Sequence, residues 1–460
     1  MGNTIQITIL ILYFTIMAAV GTVSRRPTRS AVGFFVGGRR GTTLLITASL
    51  VATVMGGSAT VGMAGMGFNW GLTGIWWLLV GSIGLVILGV FFSKKLRSTG
   101  YYTLPQLAEN QYDKRVSIAV SVLIVIAWVG IIAGQIIAAG KIISIIGIEH
   151  KNVWMIGFAA VFIIYTLVGG QRANLRTDLL QFVIIFLGLL AAIAVVLPKL
   201  DGLRGMKARL PADYFNFPLS KDFGVYQLFS WLLLIGMTYI VGPDMYTRLF
   251  SAKNENAARN SALIGAILII PPGLCIVLLG MSARVLFPAT LSAEAALPFL
   301  IGDQLPPIVG GLVLAAFVGA MMSSADTCLV STGAIISNDI VKKIVPLLSD
   351  EQTVLVARIA IIVIGILALL FALVLDSVIS SLMFAYTVYA GGVVIPVLAG
   401  FFKKRLNLSP LGAIAAISGG GIAALLSKLF AIKYLDLGAL GISAVLLFAV
   451  SYIDRRFLHN

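Results

Sequence analysis

The sequence predicts an all-α integral membrane protein of about thirteen transmembrane helices, and three observations carry that reading. Of 460 residues, 59% are hydrophobic and only 11% are charged, against about 25% charge in an ordinary soluble domain. Mean hydropathy is +1.03, and the apolar residues are spread along the whole chain. Runs such as Leu44 to Val54, Gly74 to Phe92 and Val354 to Leu375 hold no charged residue except Arg358. Lipid is therefore the solvent for most of the surface.

A membrane span needs about 20 predominantly apolar residues. Thirteen stretches qualify, at approximately 4–23, 42–68, 74–92, 117–146, 152–169, 177–198, 225–247, 257–283, 307–336, 353–375, 377–402, 409–427 and 437–453. In the first, Ile5 to Val20 has no basic segment before it and is followed by Arg25, Arg26 and Arg29, the reverse of a cleaved signal. It reads as a retained helix whose start faces outward. Alternate connections collect most of the 33 Lys and Arg, among them Arg39, Arg40, Lys94, Lys95, Arg97, Lys114, Arg115, Arg248, Lys253, Arg259, Lys403 to Arg405, Arg455 and Arg456. By the positive-inside rule these face the cytoplasm, which places the N-terminus outside and the C-terminus inside a multi-pass cell (inner) membrane protein.

The net charge of +15 is thus divided among connections rather than forming a patch, and no nucleic-acid partner is expected. Cys275 and Cys328 both lie within spans, while His150 and His459 lie in a loop and the tail. That excludes a disulfide framework and most metal-centre chemistry. The chain has no GxxxxGK[ST] loop, no appended soluble domain and no intramembrane Ser/His/Asp set. Neither an enzyme nor a self-contained ATP-driven pump is expected, and no organic cofactor or obligate protein partner is indicated.

The spans break their own rules in three places. In the second, Gly56 and Gly57 sit side by side at mid-membrane with Ser58 and Thr60 following. In the seventh, Gly236 and Gly242 flank Tyr239, and Pro243 removes a backbone donor. Irregular backbone at membrane depth is tolerated only against protein or a water-filled cavity. The second and seventh spans each open a block of five, and interruptions at matching places in two halves point to a solute site. Close helix packing explains Gly62 and Gly65 equally well; Gly56-Gly57 fits an unwound, ligand-facing segment better.

The third place is the ninth span, where Ser323, Asp326 and Thr327 stand at i, i+3 and i+4 and so share a helix face. Oxygen donors without nitrogen or sulfur suit a hard cation such as Na⁺. Serines alone often bond back to their own helix, but a carboxylate inside a span is costly and marks function. Asp178, at the start of the sixth span, reads either as a functional carboxylate or as a cap stabilised by the helix dipole.

With these residues in view, the chain resembles the sodium/solute symporter family, whose members include sodium/proline, sodium/sugar and sodium/sialic acid carriers. The resemblance rests on Ala52 to Gly65, Gly169-Gly170 followed by Thr177-Asp178, Gly242-Pro243 through Arg248, Ser251-Ala252-Lys253 with Ala258-Arg259, and Ala320 to Asp326. It implies a leucine-transporter-like fold: a leading helix and basic loop (1–41), a first inverted five-helix repeat (42–198), an extracellular connection (199–224), a second inverted repeat (225–402), and two trailing helices with a short tail (403–460). It also implies a Na⁺ site between the second and ninth spans, from the carbonyls of Ala52, Met55 and Ala320 and the hydroxyls of Ser323 and Ser324. A second cation or proton site would use Asp178, Asp326 and Thr327.

For the solute, the resemblance implies Gly56, Gly57, Ser58 and Tyr239. Gln135 and either Tyr386 or Tyr389 are further candidates, with packing as the alternative for each. Ser58 stands where proline carriers have a tryptophan and Val54 where they have an acid, so proline is not expected. The charge-poor centre points to a neutral or zwitterionic amino acid or a monocarboxylate. The expected function is Na⁺-coupled symport of such a solute by alternating access. The alternative is a membrane sensor that binds without net transport, which a chain ending at Asn460 soon after its last span disfavours.

Overall fold

The computed structural model describes residues 2–23, 30–146, 151–432 and 434–457. Helices make up nearly all of it, and among the described residues there is no strand, only an isolated bridge between Gly41 and Ala252. A helix satisfies its own backbone, which is what hydrocarbon demands.

The principal helices are α1 (Gly2–Val23), α2 (Thr43–Val54), α3 (Met63–Trp70), α4 (Trp76–Ile87), α5 (Lys114–Ile143) and α6 (Lys151–Val196). They continue as α7 (Val225–Trp231), α8 (Pro243–Ser251), α9 (Glu255–Leu268), α10 (Ile270–Leu286), α11 (Pro307–Ala334), α12 (Asp350–Val374), α13 (Val378–Tyr389), α14 (Pro410–Leu429) and α15 (Leu435–Phe457). Their starts carry the expected chemistry. Asp113 accepts from the Val116 amide at 2.9 Å, Asn254 from the Ala257 amide at 2.8 Å, Ser349 and Gln352 form a reciprocal box before α12, and Pro243 opens α8. α6 turns sharply at Gly170, whose φ of 58° and closeness to Phe34 leave no room for a Cβ.

Among the described residues, ten segments are long and apolar enough to cross a membrane, and three shorter apolar helices, at Thr4–Val20, Thr43–Val54 and Lys151–Leu167, fall within the first, second and fifth expected spans. The break after Val54 detaches α2 from the rest of its predicted span, and Ser58–Ser98 then runs as one 41-residue segment that absorbs the end of the second predicted span and all of the third. Arg25, Arg26, Arg29, His150 and His459 lie outside the described residues.

α11 is the axis of the bundle. Of its most apolar stretch 83% is buried, because α1, α5, α6 and α12 all pack on it. The polar face from Ser323 to Thr327 therefore sees protein rather than lipid. α12 is the contrast, with Ile359, Ile362, Val363 and Ile366 exposed along it.

Both ends of the bundle are tied shut. At the end where α5 starts, the Gly41 amide donates to the Ser251 carbonyl at 2.9 Å and the Lys253 amide to Gly41 at 2.8 Å. Nearby, Arg97 Nε donates to the Ala252 carbonyl at 2.5 Å, and Lys343 Nζ lies 2.6 Å from Glu109. At the end where α5 finishes, Glu294 pairs with Lys141 at 2.5 Å. Glu294 also accepts from Ser377 Oγ at 2.8 Å and from the Val378 and Ile379 amides at 3.1 and 3.2 Å, across the start of α13.

Candidate functional site

α2 ends at Val54 because the chain leaves helical geometry at Met55, where ψ is 17°. The Gly56 amide bonds the Thr53 carbonyl at 3.3 Å, one step short of the Ala52 carbonyl that an unbroken helix would use. The chain resumes through Ser58–Gly62 as a wider turn, a form that recurs at functional sites. Glycine is required here: a Cβ on Gly56 would collide with Ser324 Oγ and lie 2.6 Å from Gln135 Oε1. Gln135 Oε1 in turn accepts from the Gly57 amide at 2.7 Å, taking up a donor that the break sets free.

Opposite the break lies the polar face of α11. Ser324 Oγ donates to the Thr53 carbonyl and lies 3.2 Å from the Ala320 carbonyl. Ser323 Oγ donates to Asp178 Oδ1 at 2.6 Å. Ala52, Met55 and Ala320 are fully buried beside these groups. Of the residues expected at the first cation site, Ser324 and Ala320 are thus at the α2–α11 contact and Ser323 is turned to Asp178, with Ala52 and Met55 buried.

The centre of the network is an ion pair that the sequence did not assemble. Arg248 and Asp178 are both fully buried, 3.7 Å apart. Arg248 Nε donates to Ser49 Oγ at 2.8 Å, and Ser49 donates to Asp178 Oδ2. Arg248 Nη2 donates to Thr53 Oγ1 and, at 2.6 Å, to Thr327 Oγ1. Thr53 Oγ1 lies 3.1 Å from Ser323 Oγ. With a guanidinium hydrogen on its oxygen, Thr53 has its own proton for Ser323, and Ser323 sends its proton to Asp178. Two hydrogen-bonded chains thus run from Arg248 to Asp178, through Ser49 and through Thr53 and Ser323, tying α2, α6, α8 and α11 together.

Two expectations are corrected here. Arg248 was assigned to a cytoplasmic connection; it is instead buried in α8, drawn inward by Asp178. Asp178 is no helix cap: it lies eight residues beyond the turn at Gly170, bonded to three other helices. Asp326 meets the network only through Thr327, which accepts from Arg248 and donates to Asp326 Oδ1 at 3.4 Å, while Asp326 Oδ2 has no hydrogen-bond partner. Of the expected trio, Asp326 and Thr327 are therefore bonded to each other, and Asp178 is reached from them through Arg248. Ser49, Thr53 and Arg248 are the residues that sequence reasoning missed.

Beside the network is a cavity of about 40 Å³ lined by Gly56, Ser58, Gln135, Tyr239, Ser324 and Tyr386, together with Thr53, Trp128, Asp244, Cys328 and others. Five of the six expected solute residues line it; the sixth, Gly57, faces Gln135 through its amide. Tyr389 does not: its hydroxyl donates to the Val241 carbonyl and its ring packs edge-on to Trp128 at 5.0 Å. A space of this size holds about one water, so a solute enters only when its walls move. Towards the Glu294 end, Tyr386 lies 6.2 Å from Trp77, and Trp77 packs on Trp231 at 5.2 Å, an aromatic cover over the cavity.

Comparison with known proteins places these features in context. The profile of the sodium:solute symporter family matches residues 34–420. The sodium/glucose cotransporter 4 of Danio rerio is 25% identical over 429 residues, covering 83% of this chain and 64% of that protein. The sodium/myo-inositol cotransporter 2 of Sus scrofa is 25% identical over 450 residues, 87% of this chain and 67% of that protein. The chain thus spans about two thirds of the length of these curated relatives. Among solved structures, a Na⁺-coupled sialic acid symporter in a substrate-bound outward-open state superposes with a TM-score of 0.82 at 20% identity, over 98% of both chains. MhsT in complex with L-phenylalanine gives a TM-score of 0.58 at 15% identity, over 89% of this chain and 98% of that one. The fold is that of the leucine-transporter class.

Proposed function

Because the chain belongs to the sodium:solute symporter family, we propose that it carries a small organic solute into the cell together with Na⁺ by alternating access. One observation carries the reading: the broken end of α2 faces the Ser323 and Ser324 hydroxyls of α11, and Ser324 is bonded to the freed Thr53 carbonyl. The Na⁺ site is the carbonyls of Ala52, Met55 and Ala320 with the hydroxyls of Ser323 and Ser324. Both hydroxyl protons are already committed, to Asp178 and to the Thr53 carbonyl, so oxygen lone pairs remain for a cation. Na⁺ there bridges α2 and α11; its release lets the two helices separate.

The second site follows from the same geometry. Arg248 already neutralises Asp178, which leaves Asp326, with one oxygen unpartnered, as the group for a further cation or a proton. The solute site is the cavity with Gly56, Gly57, Ser58, Gln135, Tyr239 and Tyr386. Coupling requires Na⁺ to bind one access state more tightly than the other, since equal binding would shift nothing. With the N-terminus outside, an inward-negative potential adds about 2.3 kcal/mol per charge per 100 mV. The curated relatives are named for glucose and myo-inositol, and the structural neighbour for sialic acid; what these names share with the reading here is only that each is a small organic solute.

The test is uptake by the purified chain in liposomes. Accumulation above the external level that vanishes when the Na⁺ gradient is collapsed supports symport. Saturable binding without accumulation supports a solute sensor instead.

A further inference from the structure

The cavity wall holds a carboxylate that the symport reading does not use. Asp244, in the first turn of α8, lines the cavity, whose lining contains no Lys, Arg or His. Among the described residues no side chain hydrogen-bonds its carboxylate; its close donors are the backbone amides of Asp244 and Met245. Arg248, one turn further along, does not supply the missing partner. Its three guanidinium nitrogens are bonded to Ser49, to Thr53 and Thr327, and to the main-chain carbonyl of Asp244 at 3.1 Å.

A carboxylate in the first turn of a helix is stabilised by the dipole, and that bland reading accounts for an acid at this position on an exposed helix. It does not account for one placed against a cavity inside the bundle, where desolvation costs a charge dearly unless it is paired. Three aromatic side chains, Trp128, Tyr239 and Tyr386, line the same small space. Aromatic faces attract cations and gain most when water is excluded. A lone carboxylate among aromatic rings is the chemistry that recognises an organic ammonium group. It repels a carboxylate and offers a neutral polyol only one acceptor.

We propose that Asp244 is the specificity-determining residue of the solute site and that the transported solute carries a positively charged amino or ammonium group, held by Asp244 against the Trp128, Tyr239 and Tyr386 rings. This rests on the symport reading for the role of the cavity and deepens it by naming the solute class. Ammonium and Na⁺ then enter at adjacent places, one against α8 and the other between α2 and α11. A zwitterionic amino acid satisfies the requirement through its amine; a simple monocarboxylate does not.

The test uses the full chain in detergent and follows thermal stability, which rises when a ligand binds the folded state. Four probes in three classes are added with Na⁺ and, separately, with K⁺: L-alanine and tetramethylammonium for the ammonium class, myo-inositol for the polyols, and propionate for the monocarboxylates. Stabilisation of the wild-type chain by an ammonium probe is expected, and none by propionate. In Asp244→Asn the apparent affinity for that probe falls at least tenfold, as loss of a charge-assisted bond requires, while Na⁺ alone stabilises as before. Stabilisation by myo-inositol or propionate but by neither ammonium probe, or by no probe at all, overturns the proposal, and so does an ammonium response that Asp244→Asn leaves intact. Because the wild-type series decides the solute class, a poorly folding variant does not remove the test. Failure of symport reads differently: an ammonium response that needs Asp244 but is equal in Na⁺ and K⁺ keeps the solute class and discards the coupling. A Na⁺-dependent myo-inositol response indifferent to Asp244 does the opposite.

Discussion

Breaking the Arg248–Asp178 pair should be the most damaging change of charge in the molecule. The two groups are 3.7 Å apart and fully buried, so at an effective dielectric constant of about 20 their attraction is roughly 4 kcal/mol. Removing one partner of such a pair costs about 3–5 kcal/mol, because the other charge is left buried without compensation. Arg248→Gln leaves Asp178 with only Ser49 and Ser323 as donors; Asp178→Asn leaves Arg248 without a counter-charge. At about 2.1 cal/mol/K per residue the unfolding entropy of a chain this long is near 1 kcal/mol/K, so each single variant should lower the melting temperature by about 4 °C. The double variant should lose far less than the sum, since no lone charge remains. The assay is the temperature at which half of the purified protein stays monodisperse in detergent, measured for the wild type, both singles and the double. If the two losses simply add, the pair does not hold α6 and α8 together and the proposed network is wrong.

Further changes test other parts of the site. Ser323→Ala removes a cation ligand and a donor to Asp178, and should weaken Na⁺ activation of uptake tenfold or more, about 1.4 kcal/mol; unchanged Na⁺ dependence would remove Ser323 from the ion site. Gly56→Ala drives a methyl into Ser324 and Gln135 and should cost about 1–3 kcal/mol of stability together with transport; a normal thermal melt and normal uptake would show the α2–α11 contact to be looser than described. Asp326→Asn should leave stability within about 1 kcal/mol, since one of its oxygens has no partner to lose, yet change the dependence of uptake on external pH; a flat comparison with wild type would dismiss Asp326 as a proton site. Burial pushes the Glu294 carboxyl up, but Lys141 and the donors at the start of α13 outweigh it and hold it below the usual glutamate value of 4.5. Its contribution to closing that end is therefore complete at neutral pH and is lost only as pH falls below about 4.5. Labelling of a cysteine introduced beneath the aromatic cover should be equal at pH 7 and pH 6, rise only in acid below the ordinary glutamate value, and be high at pH 7 in Glu294→Gln.

What the sequence shows and hides follows from how local each signal is. The oxygen face of α11 was legible because Ser323, Asp326 and Thr327 are neighbours on one helix. The break in α2 was legible because two adjacent glycines have few other uses at mid-membrane. The Arg248–Asp178 pair joins residues on helices 70 positions apart in sequence, and an arginine near the end of an apolar run looks like a loop charge until its partner is seen. The same geometry turns Ser323 to Asp178 and leaves Asp326, which helix periodicity groups with it, bonded to Thr327 alone. Asp244 was concealed by its position after Pro243, where an acid at a helix start is unremarkable. Hydropathy alone gives no sign that α2 stops at Val54, since it reads composition and does not register a backbone that turns at Met55 and Gly56.

Symport makes a reciprocal demand, because a solute whose transport is driven by Na⁺ must itself be able to drive Na⁺. The decisive measurement is ²²Na⁺ entry into liposomes holding the purified chain, with Na⁺ equal on both sides and an inward gradient of a solute that stabilises the protein. Coupled transport gives a transient accumulation of ²²Na⁺ above equilibrium that Ser323→Ala abolishes or sharply reduces. Solute entry with no net ²²Na⁺ movement, or solute binding with neither flux, would contradict Na⁺ coupling at the α2–α11 site.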